Sequence, residues 1–316
     1  MPTEIMHNQR DMNHPEARAH HFLPQCWLSG FTDSGQNEGQ LWVTDLKRRK
    51  QWKSNPVNSG HRRDFYRLSD ERLNPTAVES KFAEMETLIA PILRIVEAER
   101  RMPHGDELQS LLVFMAIQWV RVPAFRTTIG PIADSIYRSF MSELLRSPES
   151  WAAALKKAGY SKDAPGADYD KILEVERSGE YSFSADTPWF LKNGLKAAES
   201  IIPCLETRYW GALISESGQF IGSDSPVALD ASKDHKVGFK NAPFVTYPVG
   251  RHVLLYGTIV RVPQPPLTTK LIAQHNTFAM LTAQEQVYSH RPDFHWLGAN
   301  GKCQNDWTLF AKEDFG

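Results

Sequence analysis

Two histidines, His20 and His21, stand side by side in the stretch "ARAHHFLPQCWLSGF", with Pro24 and Gln25 close behind. Imidazole titrates near neutrality, so a ring held neutral can act as a general base. The proline favours an extended backbone before it, and in an extended segment adjacent side chains point to opposite faces. The two rings therefore do not readily share one metal ion. His20 is the stronger site candidate, because Phe22 and Pro24 alternate with it and could wall a pocket. The competing reading is an ordinary core or surface histidine.

Other polar residues could join it. Asp224, in "IGSDSPVAL", ends an apolar strand, where a rigid scaffold can present a reactive carboxylate; alternatively it opens a turn with Ser223 and Ser225. Gln118 lies near an apolar helical stripe, and a buried amide needs a partner. Arg121 and Arg126 follow it and could grip an anion in forked geometry, or pair internally with Glu79 or Glu86, seven residues apart on one helix face. In "GHRRDFYR", Arg62, Arg63, Asp64 and Tyr66 read equally as a phosphate cradle or a sheet-edge loop. Between Leu41 and Arg67 eight basic side chains face two acidic ones, a patch that suits a phosphate-bearing partner or forms a solvated face. No GxSxG, P-loop, GxGxxG or HExxH motif occurs, which removes the usual forms of several hydrolases, NTPases and dehydrogenases.

These groups need elements to hold them. The chain has 316 residues, 41% hydrophobic and 23% charged, with a formal charge of -1, so no global charge bias points to nucleic acid or membrane. Three cysteines, none in a CxxC pair, fit a reduced, cytoplasmic setting. No apolar run approaches the ~20 residues of a membrane-spanning helix. Residues 1–18 read as a flexible tail and 19–316 as a single domain, with 147–185 an insertion of small peripheral helices. "GQLWVTDL" alternates as a strand. Thr76 and Glu79 form a capping box for a helix with Val78, Phe82, Met85, Ile89, Ile92 and Val96 inward and Pro91 as a kink site. A second helix opens box-like at Asp106 and Gln109, with Leu108, Leu112, Met115 and Trp119 inward. A third runs on from Ala124 with Phe125, Ile129, Ile132, Ile136 and Phe140 inward. A fourth covers "TPWFLKNGLKAAESIIPCL", with Phe190, Leu195, Ala198 and Ile202 toward the core. The period then changes to two: two strands around a turn at Ser217 and Gly218, at least one more in 244–260, and a last helix from 267. Strands, then helices, then strands predict an α+β fold, an antiparallel sheet packed against a helical bundle.

The blocks "HHFLPQCWLSGF", "LWVTDLKRRKQW", "GHRRDFYR", "AVESKFAEMET", "IQWVRVPAFR" and "FIGSDSPVAL" together resemble the bacterial family catalogued as domain of unknown function 4238, over roughly His20 to Ser289. The His-His-x-x-Pro-Gln opening and the Ser-Asp-x-Pro-Val block are its more specific parts. That family usually has asparagine between the aspartate and the proline; Ser225 stands here, which keeps the carboxylate and changes an amide hydrogen bond. The resemblance groups His20, His21, Gln25, Arg62, Tyr66, Glu79, Gln118, Arg121 and Asp224, and assigns them no activity.

One expectation is a nuclease-like phosphoester hydrolase acting on nucleic acid or a nucleotide. His20 or His21 is then the base, and Asp224 orients it or holds a divalent ion, Mg²⁺ or Mn²⁺, with Glu79. Gln25, Arg62, Tyr66, Gln118, Arg121 and Arg126 bind substrate and steady charge on phosphate oxygens. The alternatives are a non-catalytic binding or immunity-type protein whose polar residues form a buried network, and a transferase on a nucleotide-like substrate. A catalytic site opens to a cleft where His and Asp converge; a structural network is closed and paired.

Overall fold

A computed structural model describes residues 19–66, 77–161, 163–181, 186–230 and 238–315. The predicted tail, Arg67 of the basic window, the capping residue Thr76 and residues 182–185 of the insertion lie outside these.

The chain begins with β1 (Ala19–His21), which Pro24 ends, and the short α1 (Gln25–Leu28). Trp27 and Leu28 are fully buried, and the Trp27 indole N–H donates to the carbonyl of Pro248 at 2.8 Å. β2 (Leu41–Asp45) and β3 (Lys50–Ser54) form a hairpin whose turn holds Arg49 at φ 57°. β4 (His61–Arg63) pairs antiparallel with β1, setting His20 opposite Arg62 and His21 opposite His61. Gly60 precedes it at φ 64°, and a Cβ there would lie 2.7 Å from that of Leu23, so both conformation and space call for glycine.

The helices follow: α2 (Ala77–Glu99), α3 (Asp106–Arg121), α4 (Pro123–Leu144), α5 (Pro148–Lys157), α6 (Tyr169–Ser178) and α7 (Thr187–Glu206). Pro91 is carried inside α2 without ending it. The expected box at the start of α3 is not formed: Gly105 precedes the helix, and Asp106 is its first residue rather than its cap. α5 and α6 bury no residue completely, as peripheral helices of the 147–185 segment should. α3 packs most closely on α7.

The inward stripe of α4 needs correction. Phe125 is buried, but Ile132, Ile136 and Phe140 are 52%, 63% and 59% exposed, as is Leu195 of α7 at 51%. Pro123 ends α3 and starts α4 at an angle of 61° between the two helices, so only the first turns of α4 reach the core. No single helix among the described residues is long and apolar enough to cross a membrane; the bent pair α3–α4 passes that test by length and composition only.

The rest is mainly antiparallel sheet: β5 (Tyr209–Ile214), β6 (Gly222–Ser223), β7 (Ala228–Leu229), β8 (Phe244–Pro248), β9 (Val253–Thr258), then α8 (Thr269–Thr282), β10 (Gln286–Ser289), β11 (Trp296–Leu297) and β12 (Cys303–Gln304). The two strands expected around Ser217 and Gly218 are present as β5 and β6, but they do not pair with each other. β5 pairs with β9 in the order β5-β9-β8-β7, while β6 pairs with β10 in the order β3-β2-β10-β6. The chain changes sheets because the backbone after the turn is claimed elsewhere: Phe220 N–H donates to Arg251 O, and Ile221 N–H to the Asn276 side chain. Strand alternation sends Ala212, Val245, Tyr247 and Leu255 into one core with α1, α2 and α3, and Leu213, Leu254 and Tyr256 to the opposite face beside α8. The fold is α+β.

Candidate functional site

The first pair of strands and the ends of α2 and α3 bring most of the singled-out residues together. His20 is buried, and its Nδ1 accepts the main-chain N–H of Tyr66 at 2.8 Å. That bond uses the Nδ1 lone pair, so the neutral ring carries its proton on Nε2 and acts as a donor there. Tyr66 is buried too, and its hydroxyl donates to the carbonyl of Arg121. Arg121 reaches back across the outer edge of β1. One guanidinium nitrogen donates to Glu86 at 2.6 Å, the other to the carbonyl of His21 at 2.5 Å, and the group stands 4.2 Å from the centroid of Phe82. Glu79 lies against the main-chain N–H of the same His21. Burial raises the Glu79 carboxyl above the usual range, and Arg121 and His20 oppose that rise. An edge strand of three residues is thus covered by charged side chains from two helices.

His21 faces the other side. Its Nε2 lies 3.0 Å from the carbonyl of Val57, and its ring meets His61 edge-on at 5.3 Å. Burial lowers its pKa, with His61 and Arg121 adding to the effect, so the imidazole is neutral near pH 7. Nε2 donates to Val57, which leaves Nδ1 with the basic lone pair.

Arg62 and Arg126 are held differently from Arg121. Arg126 donates to the carbonyl of Phe65 at 2.8 Å and stacks at 4.0 Å on the Phe65 ring and 5.3 Å from Phe190. Among the described residues it has no carboxylate partner. Burial lowers its pKa, Tyr66 opposes this, and the charge of Arg62 lowers it further. Arg62 is 46% exposed and only 3.9 Å from Glu285, a loose pair. Beside Arg126 a cavity of about 270 Å³ opens between Tyr66, Phe82, Arg121, Arg126, Phe190 and Leu195. Gln25 opens α1, half-exposed. Among the described residues Gln118, completely buried, has no partner for either amide atom; Glu79 Oε2 and Arg121 Nε are also without one.

Asp224 is occupied elsewhere. Its carboxylate accepts the N–H groups of Gln284, Glu285 and Gln286 at 2.7, 2.8 and 3.0 Å, fastening the turn after α8 to β6. Burial nevertheless pushes its pKa up to about 6. The local side-chain turn belongs to Ser223, whose hydroxyl accepts from Ser225 N–H. No group of three or more His, Cys, Asp or Glu side chains is arranged to hold a metal ion among the described residues.

The basic window is spread over several surfaces. Arg49 docks on the carbonyls of Thr308 and Phe310, Lys47 pairs with Glu285, and Lys53 covers Trp42. Cys26, Cys204 and Cys303 are all unpaired, and burial raises the Cys26 thiol to about 12, so it is no thiolate at neutral pH.

Sequence reasoning missed the pair of Glu97 and His252. Glu97 Oε1 accepts from the His252 ring and main-chain N–H, both at 2.8 Å, while Oε2 accepts Val253 N–H at 3.1 Å. A Cβ at Gly250 would sit 2.5 Å from this carboxyl carbon. The signal existed: Glu79, Glu86 and Glu97 are spaced by seven and eleven residues, which keeps them on one face of α2.

The family model described as Protein of unknown function (DUF4238) matches residues 19–293, and the chain belongs to that family. No curated protein and no solved structure matches it.

Proposed function

We propose that this family member binds a phosphate ester, a nucleotide or a nucleic-acid strand, on the face formed by Arg62, Arg126 and the adjoining aromatic cavity, in a bacterial cell, as the resemblance implies, and in the cytoplasmic setting that the unpaired cysteines favour. One observation carries the reading. Arg126 is a half-buried guanidinium without a carboxylate among the described residues, held near a second cation, Arg62. A desolvated charge of that kind is costly until an anion joins it. Phe65 and Phe190, the rings beside Arg126, offer faces that suit a base. The closed network of His20, Tyr66, Arg121 and Glu86 fixes the walls, which supports binding ahead of catalysis.

Phosphoester hydrolysis is the second reading, and His21 favours it: a neutral imidazole with one nitrogen anchored on Val57 has the form of a general base. His20 is less suited, since its Nδ1 already accepts a bond.

The experiment is calorimetric titration with AMP, ADP and labelled single- and double-stranded DNA and RNA, each followed by a cleavage assay with and without Mg²⁺ or Mn²⁺. The expected result is binding that weakens at least tenfold in Arg126→Met and falls steeply with salt. Cleavage lost in His21→Ala and kept in His20→Ala would add the hydrolase. Absence of binding to every ligand overturns the proposal.

A further inference from the structure

A second cavity lies on the far side of the β5-β9-β8-β7 sheet from this site. Its volume is about 600 Å³, within the range of about 300–1,000 Å³ usual for small-molecule sites. Leu213, Tyr256, Phe244, Leu271, Phe278 and Leu281 supply most of its apolar wall. Leu297, Gly298, Gly301 and Phe315 close another side. Those residues lie beyond position 293, where the family match ends, so this wall is contributed by the chain's own C-terminal segment.

The chemistry of the lining is selective. Among the described residues no Lys or Arg lines the cavity, so none of them offers an anionic head group a counter-charge. Among the described residues Asp230 and His275 are its titratable side chains apart from the Tyr256 phenol. His275 has no hydrogen bond, no ion pair and no aromatic contact among the described residues. Burial alone lowers its pKa to about 4, so at neutral pH the ring is uncharged and offers one donor and one acceptor nitrogen. The ring is half-buried in this apolar wall, so its nitrogens are free to bond a molecule that fills the cavity.

We propose that this cavity is a second ligand site, which takes an uncharged, largely hydrocarbon or aromatic molecule bearing one hydroxyl or carbonyl group that hydrogen-bonds to His275. It is separate from the arginine-rich face in position and in chemistry, and stands whether or not that face binds a phosphate ester.

The test uses two neutral probes of nearly equal size, 1-naphthol and naphthalene, titrated into the full chain by calorimetry. In the wild type both bind and 1-naphthol binds tighter by about 2- to 12-fold, the worth of one net hydrogen bond. His275→Leu retains naphthalene and loses the preference, while Leu281→Trp, which fills the space, weakens both at least tenfold. The preference is a ratio within one protein, so general loss of fold does not mimic its disappearance. No binding of either probe up to its solubility limit, or an unchanged preference in His275→Leu, overturns the assignment.

Discussion

Arg121 and Arg126 are five residues apart, both beside Tyr66, yet their partners predict opposite outcomes for the same substitution. Arg121→Met removes the partner of Glu86 and the donor to the His21 carbonyl while its side chain is only 1% exposed. Breaking a buried pair from one side costs about 3–5 kcal/mol, because the remaining charge is left uncompensated. For a chain of this length, an unfolding entropy of about 2.1 cal/mol/K per residue turns that into a fall of roughly 5–8 °C in melting temperature. Arg126→Met loses one charge-assisted bond to Phe65, about 1.5–3 kcal/mol, and a ring contact of about 0.5–1 kcal/mol. Against this it relieves the burial of an uncompensated guanidinium and its repulsion from Arg62, and methionine still fills the aromatic slot. The net change is about 1 kcal/mol or less, with phosphate-ester binding lost. Differential scanning fluorimetry and calorimetric titration of both variants measure the two quantities. Equal destabilisation by the two substitutions, with ligand binding intact in Arg126→Met, would refute the division of labour between them.

Two further outcomes follow from the same structure. The Asp224 carboxyl is raised in the fold from its usual 3.8 to about 6, so its contribution to stability is present below pH 4 and is lost as pH rises toward 6, by about 3 kcal/mol. Urea midpoints at pH 4 and pH 7 should show this slope in the wild type and a flatter one in Asp224→Asn; identical slopes contradict the burial argument. On α4, Ile136→Glu should change stability by no more than about 0.5 kcal/mol, whereas Phe125→Ala should cost about 3–5 kcal/mol. A large cost at Ile136 would mean that a partner covers the stripe in solution.

The legible part of the fold is where a pattern reports its own local cause. The apolar period of α2 and α3 puts Ile89, Val96, Leu112 and Met115 inward, as the sequence implies. The stripe of α4 has the same period and fails. Periodicity identifies a face, but what covers that face depends on the bend at Pro123, which is set by packing rather than by the stripe. That β5 and β6 do not pair with each other across Ser217 and Gly218 has a related origin. Alternation predicts strands but not their neighbours, and the residues after the turn find partners in Arg251 and Asn276, 31 and 55 positions away from their own donors.

The candidate site divides along the same line. Residue types and blocks brought His20, Tyr66, Glu79, Gln118 and Arg121 into one group, and the internal pairing weighed for Arg121 takes the form of its bond to Glu86. Which atoms are spent on structure depends on the third dimension. Asp224 reads as a reactive strand-end carboxylate until its three main-chain donors are in place. His20 and His21 read alike until one accepts from Tyr66 and the other sits on Val57. Function is then sought in what the packing leaves unspent. A strand edge secured by Glu79 and Arg121 costs two charged groups, whereas an apolar cover would leave the His21 N–H and carbonyl unsatisfied. That requirement accounts for Arg121 but not for Arg126, whose charge secures no strand and pairs with no described carboxylate. The physical case for a bound anion rests on that difference.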